Sequence, residues 1–190
     1  MTIFYTNSYF GKKLYQEYYD LVLETLQYFA DVTVISPELG NYQDQLDEHV
    51  KQTITDPQLL HYEAILAGIR KADAVIIEVT HEDLQIGYEA GLALKEKKPL
   101  LCLSLKDNFA KRIHDDHFFG AQYNKRTVKP VIQDFLAKVR ERSLSKRFNL
   151  FLYPQQITYL EKAAKEHKMN VSEYIRRLIN LDKKATERKS

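Results

Sequence analysis

Hydrophobic positions along this chain follow two rhythms. Thr2–Thr6, Val32–Ile35, Ala74–Val79 and Leu100–Leu103 are short apolar runs bounded by polar or chain-breaking residues. They are too short for helices, and the last two, rich in Val, Ile and Leu, predict strands buried on both faces. Between them the period lengthens. Lys12–Ala30 places Leu14, Tyr18, Leu21, Val22, Leu26 and Phe29 on one helical stripe. Pro57–Lys71 repeats the pattern with Leu60, Ile65 and Ile69, and Thr127–Arg140 does so with Val128, Val131, Ile132, Phe135, Leu136 and Val139. Tyr88–Glu96 has a helix-favouring composition. Strand, loop, helix and strand in that order form right-handed units with parallel strands, so residues 1–140 predict an α/β, doubly wound parallel sheet. Glu38–Thr55 and Lys106–Asn124 lack a period. The first predicts a loop with a short helix, able to act as a lid, and the second an irregular stretch.

The pattern changes after residue 140. Residues 141–146 form a basic, Ser-containing linker. From 147 to 153 the chain alternates, with Phe148, Leu150 and Leu152 on one face and Arg147, Asn149 and Phe151 on the other, until Pro154 ends the run. Gln155–Lys168 predicts a helix, Met169–Ser172 a turn with Ser172 as N-cap, and Glu173–Leu181 a second helix. The module so defined covers residues 147–182, and the charged residues 183–190 are expected to fray.

Composition narrows the class. With 44% hydrophobic residues, 28% charged and a net charge of +2, the chain is ordinary for a globular protein, and bulk charge does not mark a nucleic-acid binder. The basic excess is concentrated from Lys138 onward. A lone cysteine, Cys102, lies inside an apolar strand and fits a small core residue in a reducing compartment. The start Met-Thr-Ile-Phe-Tyr lacks a basic n-region, and no apolar stretch nears the roughly 20 residues of a membrane span. The expectation is a cytoplasmic protein without membrane contact. No cofactor is implied. His114-Asp-Asp-His117 lies in an irregular stretch without a third ligand, so no metal is expected there.

In parallel sheets ligands bind beyond the carboxyl ends of the strands, where Thr80–Glu89 falls. Glu89 lies near the expected helix start, beside Gly87 and Gly91, which would let other groups approach closely. That suits a nucleophile or base; the alternative is a surface carboxylate favoured by the helix dipole. Glu78, inside an apolar strand, either lines the site or marks an exposed strand end. Asp83 either binds substrate or solvates its loop. His81 is expected in solvent, and Asp73 as a cap at the strand entry.

Ala72-Asp-Ala-Val-Ile-Ile-Glu-Val-Thr80, Gly87-Tyr-Glu-Ala-Gly91 and Lys98-Pro-Leu-Leu-Cys-Leu103 stand in the order and spacing of the nucleoside 2-deoxyribosyltransferase family, which residues 1–140 resemble. The resemblance implies a flavodoxin-like or Rossmann-like sheet and cleavage of the bond between a base and a deoxyribose of a nucleoside or nucleotide. Glu89 would be the nucleophile, with water or a second base resolving the glycosyl-enzyme. Tyr5, Asn7, Ser8, Gly11, Asp83 and Gly87 would bind substrate. Some positions depart from the family pattern. Its substrate-holding aspartate falls at Ile65, its first-strand tyrosine at Phe4, and the phosphate-binding arginine of its monophosphate branch at Phe10, where Lys12 or Lys13 could substitute. A residue around Asn108–Ala110 would reach a neighbouring subunit.

The second module resembles ribbon-helix-helix proteins through Arg147-Phe-Asn-Leu-Phe-Leu-Tyr-Pro154 and Asn170-Val-Ser172 with its flanking helices. That resemblance implies a homodimer or higher oligomer whose paired strands enter the major groove of double-stranded DNA. Arg147, Asn149 and Phe151 would face bases, and Ser172 would mark a phosphate contact at a helix start. Two alternatives stand beside it: a regulator that binds nucleotide without turnover, and a module that serves assembly alone.

Overall fold

The computed structural model describes residues 1–142 and 150–187. The chain forms two compact units, Met1–Ser145 and Lys146–Ser190.

The first unit carries five strands: β1 (Thr2–Asn7), β2 (Thr33–Ile35), β3 (Ala74–Glu78), β4 (Leu100–Ser104) and β5 (Phe118–Gln122). All pair parallel, in the order β2-β1-β3-β4-β5. Its main helices are α1 (Lys12–Gln27), the short α2 (Glu48–Thr53), α3 (Pro57–Lys71), α4 (Leu84–Lys95) and α5 (Val128–Arg142). Alternation along the strands divides the core in two. Ile3, Tyr5, Ala74, Ile76, Leu101 and Leu103 pack against α1 and α5. Phe4, Val75, Ile77, Leu100 and Cys102 pack against α3 and α4. Gly68 of α3 lets the sheet come close, since a Cβ there would lie 2.6 Å from the Phe4 ring. The strand order reverses between β1 and β3, which opens a crevice at their carboxyl ends.

Two expectations for this unit are corrected. The stretch 106–124 is not wholly irregular, because Phe118–Gln122 forms the edge strand β5. Its Phe-Phe-Gly-Ala-Gln sequence has two strand-favouring Phe but no β-branched residue or clear alternation, and pairing with β4 completes it as a strand. Helix α4 begins at Leu84 instead of Tyr88. The Asp83 carboxylate accepts from Ile86 N at 2.9 Å and starts the helix a full turn early. Residues 37–53 hold two 3-10 turns and α2. Asn41 ties this loop to β2, accepting from Ser36 N and donating to Val34 O, both at 2.9 Å.

The second unit holds α6 (Pro154–Glu166) and α7 (Val171–Glu187), packed through Leu160, Ala163, Ala164 and Tyr174. Asn170, not Ser172, is the N-cap of α7. Its side chain accepts from Glu173 N, and Glu173 accepts in return from Asn170 N, both at 2.9 Å. Ser172 lies inside the first turn. Leu150–Tyr153 belongs to no strand. Arg147 and Asn149 lie outside the described residues. Phe151 is 98% exposed. Among the described residues, no helix is long and apolar enough to cross a membrane.

Candidate active site

Helices α3 and α4 diverge at the carboxyl ends of the strands and leave a cavity of about 450 Å3 between them. Glu89 is part of its wall. It lies in the second turn of α4, so the helix start expected beside it is occupied by Asp83 instead. Glu89 is 2% exposed, and Oε1 accepts from Gln85 Nε2 at 3.0 Å. Oε2 is buried without a partner. Burial raises the carboxyl pKa above the ordinary range; bonds from Gln85 and the Thr6 hydroxyl work against that rise, and the Asp83 charge adds to it. A buried carboxylate with one bare oxygen on a cavity wall is unstable as architecture and well suited to bonding a ligand atom.

The rest of the wall is aromatic and amide. Tyr62 and Tyr88 lie with ring centroids 6.1 Å apart, and Tyr88 Oη donates to Tyr62 Oη at 3.3 Å. His61 sits between Tyr42, whose hydroxyl is 2.9 Å from Nδ1, and Gln85, whose Nε2 is 3.4 Å from Nε2 of the ring. Burial lowers the imidazole pKa, so the ring is neutral at neutral pH. Ile65 also faces the cavity. Flat rings of this kind hold a planar ligand by stacking.

The structure gathers three of the other expected site residues beside this cavity. Ser8 donates to the Asp83 carboxylate and accepts from Gly11 N at 3.0 Å, and its Oγ lies 3.1 Å from His81 Nδ1. His81 is therefore half-buried and bonded, not free in solvent as expected. A Cβ on Gly11 would collide with the Tyr19 hydroxyl and His81, so only glycine fits this turn. Asp83 holds the Ser8–Gly11 turn to the start of α4. Phe10, Asp83, Leu84, Gln85 and Tyr88 line an adjoining apolar hollow, in which Gln85 and Tyr88 are shared with the first cavity.

Other expected site residues lie elsewhere. Tyr5 and Asn7 point to the opposite face of the sheet from Glu89. Tyr5 is fully buried and donates to Tyr19 O at 3.0 Å. Asn7 is buried with neither side-chain atom hydrogen-bonded. Gly87 is exposed, and a Cβ on it or on Gly91 would meet nothing within 4 Å, so neither allows a close approach. Lys12 pairs with Glu38 at 2.6 Å. Asn108 accepts from Ala110 N at 3.0 Å and caps a 3-10 turn. Glu78 is neither an exposed strand end nor part of the cavity wall. It is fully buried, accepting from Thr80 N at 3.2 Å, from the Thr80 hydroxyl, and from Tyr123 Oη at 3.1 Å. Asp73 accepts from Thr2 N at 2.8 Å. Among the described residues, no group of three His, Cys, Asp or Glu side chains could hold a metal ion.

His61, Gln85, Tyr42 and Thr6 carry much of the geometry around Glu89, and sequence reasoning passed over all four. Gln85 meets Glu89 because α4 starts a turn earlier than expected, which puts the two four residues apart on one helix.

No family model matches the chain. It is 28% identical over 146 residues to a 5-hydroxymethyl-dUMP N-hydrolase of Tetraodon nigroviridis, covering 72% of this chain and 98% of that one. Against the mouse (Mus musculus) protein of the same name, identity is 40% over 78 residues, or 36% of this chain and 44% of the relative. A third, from Branchiostoma floridae, is 32% identical over 79 residues, or 38% of this chain and 75% of the relative. The chain thus belongs to the nucleoside deoxyribosyltransferase-like family of these N-hydrolases.

Proposed function

We propose that the first unit is an N-glycosidase that cleaves the bond between base and sugar of a deoxynucleotide or deoxynucleoside, with Glu89 as nucleophile. The observation that carries this reading is the buried carboxylate of Glu89, a residue that lines the cavity at the sheet's carboxyl edge and whose Oε2 has no hydrogen-bond partner. Names of the relatives, hydrolases of 5-hydroxymethyl-dUMP, support the reaction class. The base stacks against Tyr62 and Tyr88. The Glu89 carboxylate attacks the anomeric carbon as the bond to the base breaks, and water then releases the sugar. Transfer to a second base is the same chemistry with a different acceptor. Among the described residues, no Lys or Arg lines the cavity, and the α4 N-terminus holds its own carboxylate, Asp83.

The test is incubation with nucleosides and their 5'-monophosphates, followed by chromatography for free base. Release that disappears in Glu89→Ala supports the reading. Release that persists in that variant removes Glu89 from the mechanism, and a panel with no release supports the alternative of a nucleotide sensor without turnover.

For the second unit we propose a ribbon-helix-helix module that forms a homodimer and tethers the enzyme to DNA. A strand of this kind is completed only by its copy in the partner. Leu150, Phe151, Tyr153, Ile157, Ile179 and Leu181 are exposed, a large apolar surface for so small a unit. Sedimentation of the full chain tests the dimer. Salt-dependent retention on duplex DNA, lost in Arg147→Ala, tests the tether.

A further inference from the structure

We propose that His61 is the general base of the hydrolytic step, taking a proton through Nε2 from the water that frees the sugar from Glu89. This deepens the N-glycosidase reading and rests on it.

The hydrogen-bond chain sets the tautomer. The Gln85 amide nitrogen has two hydrogens; one goes to Glu89 Oε1 at 3.0 Å and the other points to His61 Nε2 at 3.4 Å. A carboxylate oxygen can only accept, so it is the amide nitrogen that must stand between Glu89 and the ring. His61 Nε2 is therefore the unprotonated nitrogen; its lone pair is engaged by the Gln85 amide through a long 3.4 Å contact, which a water must replace before its proton can pass to the ring. The ring proton sits on Nδ1 and is donated to Tyr42 Oη at 2.9 Å, and Tyr42 Oη also accepts from Gln43 Nε2 at 3.2 Å. Asn41 anchors this loop to β2, so Tyr42 is a fixed partner and not a passing one.

Position completes the argument. His61 and Glu89 stand on either side of the Gln85 amide, so a water that takes the place of that amide would meet both the imidazole and a sugar carbon bonded to Glu89. His61 stands one turn before Ile65 on α3, and the Ile65 side chain can accept no proton. Among the described residues, His61 and Glu89 are the cavity's imidazole and carboxylate side chains. The titratable groups around the ring are Tyr42 from the loop, Tyr62 from α3, and Tyr88 and Glu89 from α4. Burial keeps the ring neutral, the form a base needs.

The two steps balance. First, the bond from the sugar carbon to the base nitrogen breaks, its electron pair leaves with the base, and a Glu89 oxygen bonds to the carbon; the base takes a proton from solvent. Second, water oxygen bonds to that carbon while one of its protons passes to His61 Nε2. The bond to Glu89 breaks and its pair returns to the carboxylate. The imidazolium then releases its proton to solvent through the open cavity. One water is consumed, and free base and sugar leave.

The experiment compares wild type with His61→Asn on a substrate that wild type turns over. The variant should keep a burst of about one free base per chain. Its steady state should be on the order of 10²–10³-fold slower, with the sugar adduct accumulating on the protein by intact mass. Azide, a nucleophile with no proton to remove, should restore turnover by forming the glycosyl azide. The steady-state pH profile should lose its imidazole limb, and His61→Gln should behave alike. Tyr42→Phe, which removes the partner of Nδ1, should slow the same step several-fold. An unchanged steady state in both His61 variants overturns the proposal and leaves the N-glycosidase reading standing. So does loss of the burst in variants whose circular dichroism is native. If wild type releases no base from any substrate, both fall together.

Discussion

Two glutamates lie buried at the carboxyl edge of the same sheet, on opposite faces, and their surroundings differ. Glu78 is saturated: Thr80 N, the Thr80 hydroxyl and Tyr123 Oη all donate to it, and it does not line the cavity. Glu89 lines the cavity, and beside its Gln85 bond has a second oxygen without a hydrogen-bond partner. Burial raises the pKa of both. Perturbation alone therefore does not distinguish a reactive carboxylate from a structural one; the unfilled hydrogen-bonding capacity does. Glu78 joins the ends of β3 and β5 into one rigid edge, and Glu89 uses the space that edge leaves open.

The pair can be broken by exchanging each acid for its amide. Glu89→Gln should lower turnover by on the order of 10³-fold or more, because an amide cannot act as the nucleophile. Its thermal midpoint should not fall, since a buried charge has been removed. Glu78→Gln should leave turnover near wild type. A reversed outcome, with turnover lost at Glu78 and kept at Glu89, would dismiss the assignment.

Removing the polar group altogether sharpens the contrast. Glu78→Leu strands the Tyr123 and Thr80 donors and should cost about 2–3 kcal/mol in denaturant unfolding, while surviving folded protein keeps its activity. Glu89→Leu should be milder in stability, because its Gln85 donor is on an exposed residue that water can satisfy and Oε2 has no hydrogen-bond partner to lose.

Titration gives a smaller effect of defined sign. The Glu78 carboxyl is raised in the folded state, so the fold holds its proton where the unfolded chain has released it. The penalty for a buried charge is full above that raised pKa and fades as pH falls toward the ordinary carboxylate value. The stability of Glu78→Gln relative to wild type should therefore decline as pH falls across that interval. In the proposed mechanism Glu89 is ionised when it attacks, so the burst rate should fall on acidification already above the ordinary carboxylate range. A burst rate flat down to that range would show that Glu89 is not the titrating nucleophile.

The smallest effect concerns the apolar layer beneath the cavity. Cys102 is buried and its thiol is pushed up to about 12. Alkylation by a thiol reagent at neutral pH should be negligible until the protein is unfolded.

The amino-acid sequence by itself determined the layers of this protein. Apolar runs at Ala74–Val79 and Leu100–Leu103 have few stable homes other than the interior of a parallel sheet, and the stripes of α1, α3 and α5 have to cover it. The motif around Glu89 was legible because local spacing carries it. Tertiary structure alone decided the rest, for the physical reason that those features depend on groups far apart in the chain. Edge strand β5 is completed by its pairing with β4. Helix α4 starts at Asp83, whose carboxylate also holds the Ser8 turn, 75 residues earlier. Tyr5 and Glu78 face away from the cavity because a strand alternates. His61 reaches the site only through Tyr42 and Gln85, from a loop and a helix on either side of it. A pattern of hydrophobic spacing records which face a residue turns, not which polar atoms it will meet there.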